Sequence, residues 1–346
     1  MTTTWFLGAN SKAGFTSLYD GFCNGEGDFL HVIKGGPGSG KSSFMRAIGA
    51  AAEQRGYDVE YIVCSGDPDS LDGIYLPTLR QGWVDGTAPH VLEPRRFGAD
   101  GDYVDLFAFH AGALSATERE RLTLLSAENK RCYRQAYAYL SAAAALDTGC
   151  RPELPEPVLS AVRERAVQLI HRHGGKDGGN RVSRRFLSAV SCQGRIRLGG
   201  TVAALCPTAY CLDNALGLAP IALEAAAFAA ADKGLDRILC PDPLEPTRLE
   251  ALLLPKSGLA LLAGDWPLPS SRHIRLDVMA VEALSADERA ERRQGLRARD
   301  AAMAAALAKL ETAKAVHDEL EAVYRPSVDF AALTDFTEKT VNELFG

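Results

Sequence analysis

Apolar positions along this chain switch between two periods, and the switches mark its elements. Phe29-Leu-His-Val-Ile-Lys34 is an apolar run that predicts a strand. After a Gly-rich stretch, the helix formers of Phe44-Met-Arg-Ala-Ile-Gly-Ala-Ala-Ala52 predict a helix over 42–55. A second strand is expected at 58–65 and a further short one ending near Asp85, with a short apolar turn opening the chain. Strand, loop, helix, strand in that order implies an α/β fold with a parallel sheet flanked by helices. Ser115-x-x-Glu118 and Ser285-x-x-Glu288 are capping boxes, each opening a long helical stretch. In the later one Leu296, Met303 and Leu310 recur every seven residues, with Leu307, Leu320 and Val323 near the same stripe. Helical hairpins, packed on themselves or on their own lobe, are expected at about 115–150 and 285–325, with a C-terminal helix beyond.

The chain also resembles itself. Phe6-Leu-Gly-Ala-Asn-Ser-Lys-Ala-Gly14 is similar to Phe186-Leu-Ser-Ala-Val-Ser-Cys-Gln-Gly194 at an offset of 180, and Arg55-Gly-Tyr-Asp58 to Lys233-Gly-Leu-Asp236 at 178. Cys64-x-x-Asp67-Pro68 recurs with one gap as Cys240-Pro-Asp242-Pro243, Pro77 falls on Pro255, and the two capping boxes lie 170 apart. Matches in constant order and at near-constant spacing imply two lobes of one ancestral unit. The expected organisation is a first lobe at 1–150, a basic linker at 151–184 and a second lobe at 185–346. Pro-rich sequence after Arg151 and the Gly174-Gly-Lys-Asp-Gly-Gly179 stretch bound the linker.

Composition changes the picture in three places. The formal charge of −6 argues against a dedicated nucleic-acid binder, since phosphate-backbone binding is driven by Lys and Arg. Residues 151–197 depart from this, with ten Lys/Arg against four Asp/Glu, as a solvated face or an anion-facing surface. The most apolar region, 203–231, is interrupted by Pro207, Asp213, Pro220 and Glu224, so no membrane span is expected. With no visible signal peptide, a cytoplasmic address and eight reduced cysteines follow as expectations. His171 and His173 lack further ligands nearby and are expected in a surface loop rather than at a metal.

The strongest chemical signal is Gly35-Gly-Pro-Gly-Ser-Gly40-Lys41-Ser42, a G-x-x-x-x-G-K-[ST] phosphate loop set between a strand and a helix. Glycines let successive N–H groups converge on one anion, and the helix N-terminus adds a favourable dipole. Gly35, Gly36, Pro37, Gly38, Ser39, Gly40, Lys41, Ser42 and Ser43 are the expected nucleotide-binding residues. Lys41 can reach the β- and γ-phosphates, and Ser42 can ligate Mg²⁺. The second Mg²⁺-side carboxylate is expected to be Asp85 in Val84-Asp-Gly-Thr-Ala-Pro-His90; the alternative is a turn residue in Asp-Gly, with Asp102 and Asp105 in reserve. His90 is either a γ-phosphate or water contact or a surface histidine. At the 178 offset Gly40, Lys41 and Ser42 become Leu218, Ala219 and Pro220, and Asp85 becomes Ala263, so the second lobe is expected to be degenerate. Asp67-Pro68 and the charge of Asp72 persist there as Asp242-Pro243 and Glu250, which favours a structural turn for Asp67.

At Gly8-Ala-Asn-Ser-Lys-Ala-Gly-Phe15, Lys34-Gly-Gly-Pro-Gly-Ser-Gly-Lys-Ser42, Asp67-Pro-Asp-Ser-Leu-Asp72 and Val84-Asp-Gly-Thr-Ala-Pro-His90 the chain resembles an uncharacterised bacterial family of ATPase-like, two-repeat P-loop proteins. The resemblance covers most of the chain and implies a P-loop fold and ATP binding, without a pathway or substrate. No N-K-x-D motif reads guanine, because Asn129-Lys-Arg-Cys132 lacks the aspartate. Three functions remain open. One is Mg²⁺-dependent ATP hydrolysis coupled to a shape change or a partner, with Arg181, Arg184 or Arg185 facing the γ-phosphate. Another is a small-molecule or nucleotide kinase, since the loop resembles that of adenylate kinases and Asp67-Pro-Asp-Ser-Leu-Asp72 a uridine-kinase motif. The last is a module that holds ATP without turning it over and docks a protein through its helical hairpins.

Overall fold

In the computed structural model, which describes residues 1–88, 92–175, 179–280 and 284–346, period-two alternation builds two sheets. The first contains β1 (Thr2–Trp5), β4 (Phe29–Lys34), β5 (Val59–Val63), β6 (Leu71–Leu76), β7 (Gln81–Asp85) and β8 (Gly101–Asp105), in the order β1-β5-β6-β7-β4-β8. The second contains β9 (Val182–Arg184), β12 (Thr208–Leu212), β13 (Arg237–Pro241), β14 (Leu249–Leu254), β15 (Leu259–Ala263) and β16 (Arg272–Ile274), in the equivalent order β9-β13-β14-β15-β12-β16. Each lobe adds a small hairpin, β2 (Gly8–Ser11) with β3 (Gly14–Ser17) and β10 (Ser188–Ser191) with β11 (Gly194–Arg197). The opening of the chain is therefore a strand and a hairpin, not only a turn.

Both sheets are mixed, which corrects the parallel sheet expected from sequence. β5–β6 and β6–β7 pair antiparallel, because the segment before Asp85 is two strands joined by the tight turn at 77–80, where Arg80 takes φ +57°. β1–β5, β4–β7 and β4–β8 are parallel, as in an α/β unit.

Helices α1 (Lys41–Gln54) and α5 (Ala219–Asp232) cover the outer face of the first and second sheet, and a short α4 (Gly199–Leu205) packs on β1. Ile33 and Trp83 pack with Phe44, Met45 and Ile48 of α1. Tyr210, Leu252 and Leu261 pack with Ala222, Leu223 and Ala226 of α5. Alternate residues of the same strands, including Val32, Val84, Cys211, Leu253 and Leu262, form one core shared by the two sheets. Both faces of each sheet are thus buried, which is why the strands read as nearly continuous apolar runs. The lobes also exchange backbone bonds: Phe6 N–H donates to the Phe186 carbonyl (3.0 Å) and Phe186 N–H to that of Phe6 (2.9 Å). Reciprocity between residues 180 apart is what an internal two-fold produces.

The helical hairpins are not there. Residues 116–149 form one helix, α2 (Ala116–Gly149), and 286–324 form another, α6 (Ala286–Tyr324). Ser115 and Ser285 cap them through capping boxes. The two run antiparallel and pack on each other, so the seven-residue stripe finds its partner in the other repeat: Ala136, Leu140 and Ala144 meet Ala306 and Leu310. Arg121–Glu319 (3.3 Å) and Arg299–Asp147 (3.0 Å) tie opposite ends.

Nor is 151–184 a linker alone. It holds α3 (Glu156–His173), which packs on α5, and β9, the edge of the second sheet. Its charges are dispersed rather than gathered into an anion-facing surface: Arg163 pairs with Glu156 and Arg181 with Asp236. His171 and His173 lie in the last turn of α3, not in a loop, and His173 Nε2 meets the Tyr210 hydroxyl at 2.9 Å. The C-terminal helix α7 (Phe330–Phe345) packs in turn on α1. No helix among the described residues is long and apolar enough to cross a membrane.

Candidate functional site

The loop 35–42 connects the C-terminal end of β4 to the first turn of α1. Two glycines make its shape: Gly38 at φ +69° and Gly40 at φ +87°, values that L side chains rarely adopt. The same two positions are crowded from outside. A Cβ on Gly38 would stand 3.2 Å from Glu321 Cβ, and one on Gly40 would stand 2.6 Å from Leu333 Cδ2. Gly35 and Gly36 are buried, Pro37 and Gly38 half-buried, and Ser43 exposed on the first turn of α1. Ser39 is buried, and its Oγ has no hydrogen-bond partner among the described residues.

Lys41 curls back over the loop, its Nζ donating to the Gly35 and Gly36 carbonyls at 2.9 Å each. The same Nζ lies 3.5 Å from Asp85 Oδ2, with both side chains largely buried. Register explains the meeting: β7 lies beside β4 with Ile33 opposite Asp85, so the carboxylate emerges at the level where the loop begins. Asp85 Oδ1 accepts from Thr87 N (2.9 Å) and Thr87 Oγ1 (2.6 Å), so the residue also closes its own turn. The turn reading of Asp85 therefore holds on Oδ1, while Oδ2 is turned to Lys41. The reserve carboxylates serve elsewhere. Asp102 meets His31 Nδ1 at 2.7 Å, and Asp105 caps the 3-10 turn at 106–109 through Phe107 N (2.8 Å). Ser42 Oγ accepts from Leu71 N (3.0 Å), fixing the start of α1 against β6. His90 lies outside the described residues.

An orphaned hydroxyl on Ser39, two left-handed glycines and an apposed lysine and carboxylate fit a phosphate anion. Ser42 and Asp85 supply hard oxygen donors of the kind Mg²⁺ takes. Among the described residues no group of three or more His, Cys, Asp or Glu could hold a metal by itself.

Several residues of this site were invisible in the sequence, because they come from the other repeat. The C-terminal end of α6 and the start of α7 lie over the loop and bring Glu321, Tyr324 and Leu333 to it. The Glu321 carboxyl is held below its ordinary range by its hydrogen bond to His317 (Nε2–Oε1 3.5 Å) and by the N–H of Gly38. A carboxylate therefore faces one of the N–H groups that the loop offers to an anion, that of Gly38. Lys314, two turns earlier, approaches Asp67 at 3.6 Å. Asp67 itself accepts from Ser70 Oγ (2.9 Å) and Asp69 N (3.3 Å), which is a turn role.

The second lobe is a structural control. α5 begins at Ala219 where α1 begins at Lys41, and β15 ends at Ala263 where β7 ends at Asp85. Its counterpart loop is closed internally: Asp277 accepts from Ala215 N (2.9 Å) and Leu216 N (3.1 Å), and Asn214 Oδ1 from Ala219 N (3.1 Å). Burial raises the pKa of Asp277, yet these N–H groups hold it in place. Leu216 lies 178 residues after Gly38, so both loops present the same N–H to a carboxylate.

The arginines expected to face a γ-phosphate are elsewhere. Arg181 binds Asp236 (3.0 Å), Arg184 lies on the edge strand β9, and Arg185 lies 4.0 Å from Glu60 on β5. Comparisons of the chain with protein-family models, with curated proteins and with solved structures found no match.

Proposed function

We propose that the 35–42 loop binds the triphosphate of ATP and that the protein hydrolyses it, with turnover coupled to movement of the α6–α7 segment. The observation that carries this reading is the approach of Lys41, at the start of α1, to Asp85, at the end of β7, 3.5 Å apart beside a loop with two left-handed glycines. On this reading the main-chain N–H groups of Gly36 and 38–43 surround the phosphates, and Lys41 leaves the Gly35 and Gly36 carbonyls for the β- and γ-oxygens. Mg²⁺, held by Ser42 and Asp85, would supply charge neutralisation at the phosphates. Thr87 fixes the Asp85 rotamer so that only Oδ2 is presented. Coupling follows from charge. The Glu321 carboxylate faces the same N–H group that a phosphate would use, so a polyanion and the end of α6 compete for one place.

A non-hydrolysing ATP-binding module is the second reading. Its support is that Asp85 is the one carboxylate paired with Lys41 among the described residues, and one of its oxygens is engaged by Thr87. A kinase has less support, since Asp67 of the acceptor-like motif is committed to its own turn and to Lys314. A single-turnover assay with Mg-ATP decides between the first two, and acceptor-dependent ADP formation without free phosphate would mark the kinase instead. Hydrolysis without an added acceptor, abolished by Lys41→Ala with an unchanged circular-dichroism spectrum, supports the ATPase. ATP binding with no phosphate release supports the module, and no binding at millimolar ATP removes both.

A further inference from the structure

Between the second sheet and the crossing of α2 with α6 lies a cavity of about 780 Å³, within the range of roughly 300–1,000 Å³ of small-molecule pockets. It sits at the second lobe's counterpart of the glycine loop, with Leu216, Gly217, Pro220 and Ala263 in its wall. Seven arginines and six carboxylates line it among the described residues. The carboxylates are largely neutralised by one set of cations. Arg195 holds Asp242 (2.6 Å) and Glu250 (2.8 Å), Arg151 holds Asp147 and Glu245 (2.8 Å each), and Arg299 holds Asp300 (2.7 Å). Asp277 accepts from the loop N–H groups of Ala215 and Leu216 and faces Arg292.

Arg248 lies 3.8 Å from Glu245, which leaves Arg289, Arg292 and Arg293. They stand at i, i+3 and i+4 on the first turns of α6, so their side chains share one face. None of the three makes an ion pair within 4.0 Å among the described residues, and Arg292 Nε is buried without a hydrogen-bond partner. Clustered like charges with an unsatisfied donor destabilise the protein unless an anion joins them. The rest of the wall is apolar apart from Asn214: Leu296, Met303 and Leu307 of α6 line it together with Val190, Leu244 and Leu249.

We infer that this cavity binds a small phosphate monoester with an apolar body, the head held by Arg289, Arg292 and Arg293 and the body laid against Leu296, Met303 and Leu307. Three guanidinium groups match a dianionic head with three acceptor oxygens better than they match a monocarboxylate. The loop N–H groups play no part, because Asp277 already satisfies two of them.

The site is separate from the one proposed for ATP, so its test uses the full chain carrying Lys41→Ala, and the two readings fail independently. Calorimetric titrations with hexyl phosphate, inorganic phosphate and hexan-1-ol compare the whole ligand with its head and its body. Hexyl phosphate is expected to bind one per chain, about tenfold or more tightly than either fragment. The variant Arg289→Gln/Arg293→Gln, both exposed positions, is expected to weaken it by about tenfold or more, with the melting temperature of the ligand-free protein unchanged or raised as the like-charge repulsion is relieved. No saturable binding of hexyl phosphate, equal binding of inorganic phosphate, or indifference to the double variant overturns the proposal. Arginine-dependent sedimentation with vesicles of phosphatidylcholine and phosphatidic acid would assign the head group to a lipid and overturn the free ester.

Discussion

Glu321 and Asp277 answer the same physical demand from different places in the chain. Backbone N–H groups that converge at a helix N-terminus attract negative charge, and each lobe gives them a carboxylate. In the second lobe the carboxylate is local and held by two N–H groups. In the first it arrives on a helix of the other repeat and is only half-buried. Glu321→Gln keeps the size and an acceptor oxygen but removes the charge, so ATP affinity is expected to rise about fivefold, roughly 1 kcal/mol. Calorimetry on the two proteins checks this; equal affinity would mean that Glu321 does not compete with the nucleotide. A second residue contributes to acid stability. Asp236 receives the Arg181 N–H and is paired with Lys256, which lowers its pKa to about 2. A depressed folded pKa means a contribution that is full above the unfolded value near 4 and lost as pH falls toward 2. Denaturation midpoints of the protein and of Asp236→Asn are therefore expected to differ above pH 4 and converge between pH 4 and pH 2.

At the scale of elements, what was legible in the sequence was local. The helix starts at Ser115 and Ser285, the β4–loop–α1 unit and the carboxylate at the end of β7 all follow from short patterns whose physics is contained within them. What was not legible was partnership. A seven-residue apolar stripe states that a helix has a neighbour and is silent on which one. The sequence still held one corrective signal, since no Gly or Pro interrupts 116–148 and a hairpin needs a turn. Antiparallel β6–β7 was missed for the opposite reason: the turn at 77–80 leaves β7 only Trp83 and Val84 as a run of large apolar residues. Because α2 and α6 are each other's core, trimming one knob should be felt by both lobes. Leu310, buried among Ala136, Leu140 and Ala306, predicts a loss of about 2–5 kcal/mol on substitution by Ala. Chemical denaturation measures it, and a loss confined to the helices, with the sheets unfolding at the original midpoint, would contradict the shared core.

For the molecule as a whole, the consequence of the internal two-fold is that neither repeat owns its own covering. Helix α3 follows α2 in the chain but packs on α5 of the second lobe, and α7 follows α6 but packs on α1 of the first. Phe44 of α1 stacks near Phe336 at 5.8 Å, and Leu333 and Phe345 belong to the first lobe's core although they lie near the end of the chain. Such an exchange makes the proposed ATP site a property of the full chain: its loop and lysine are in one repeat, its cover in the other. It also fixes a folding dependence, because contacts between positions this far apart form only after large loops have closed. A fragment of residues 1–175 would expose the α1 face that α7 covers and the shared core that the second sheet covers. It is expected to melt without a sharp transition and to bind ATP at least about tenfold more weakly than the full chain. Mixing it with a fragment of 179–346 should restore both the transition and the binding. An isolated first fragment with a sharp melt and full affinity would show instead that the exchanged helices are ornamental to the site, and the coupling of ATP to α6 would lose its structural basis.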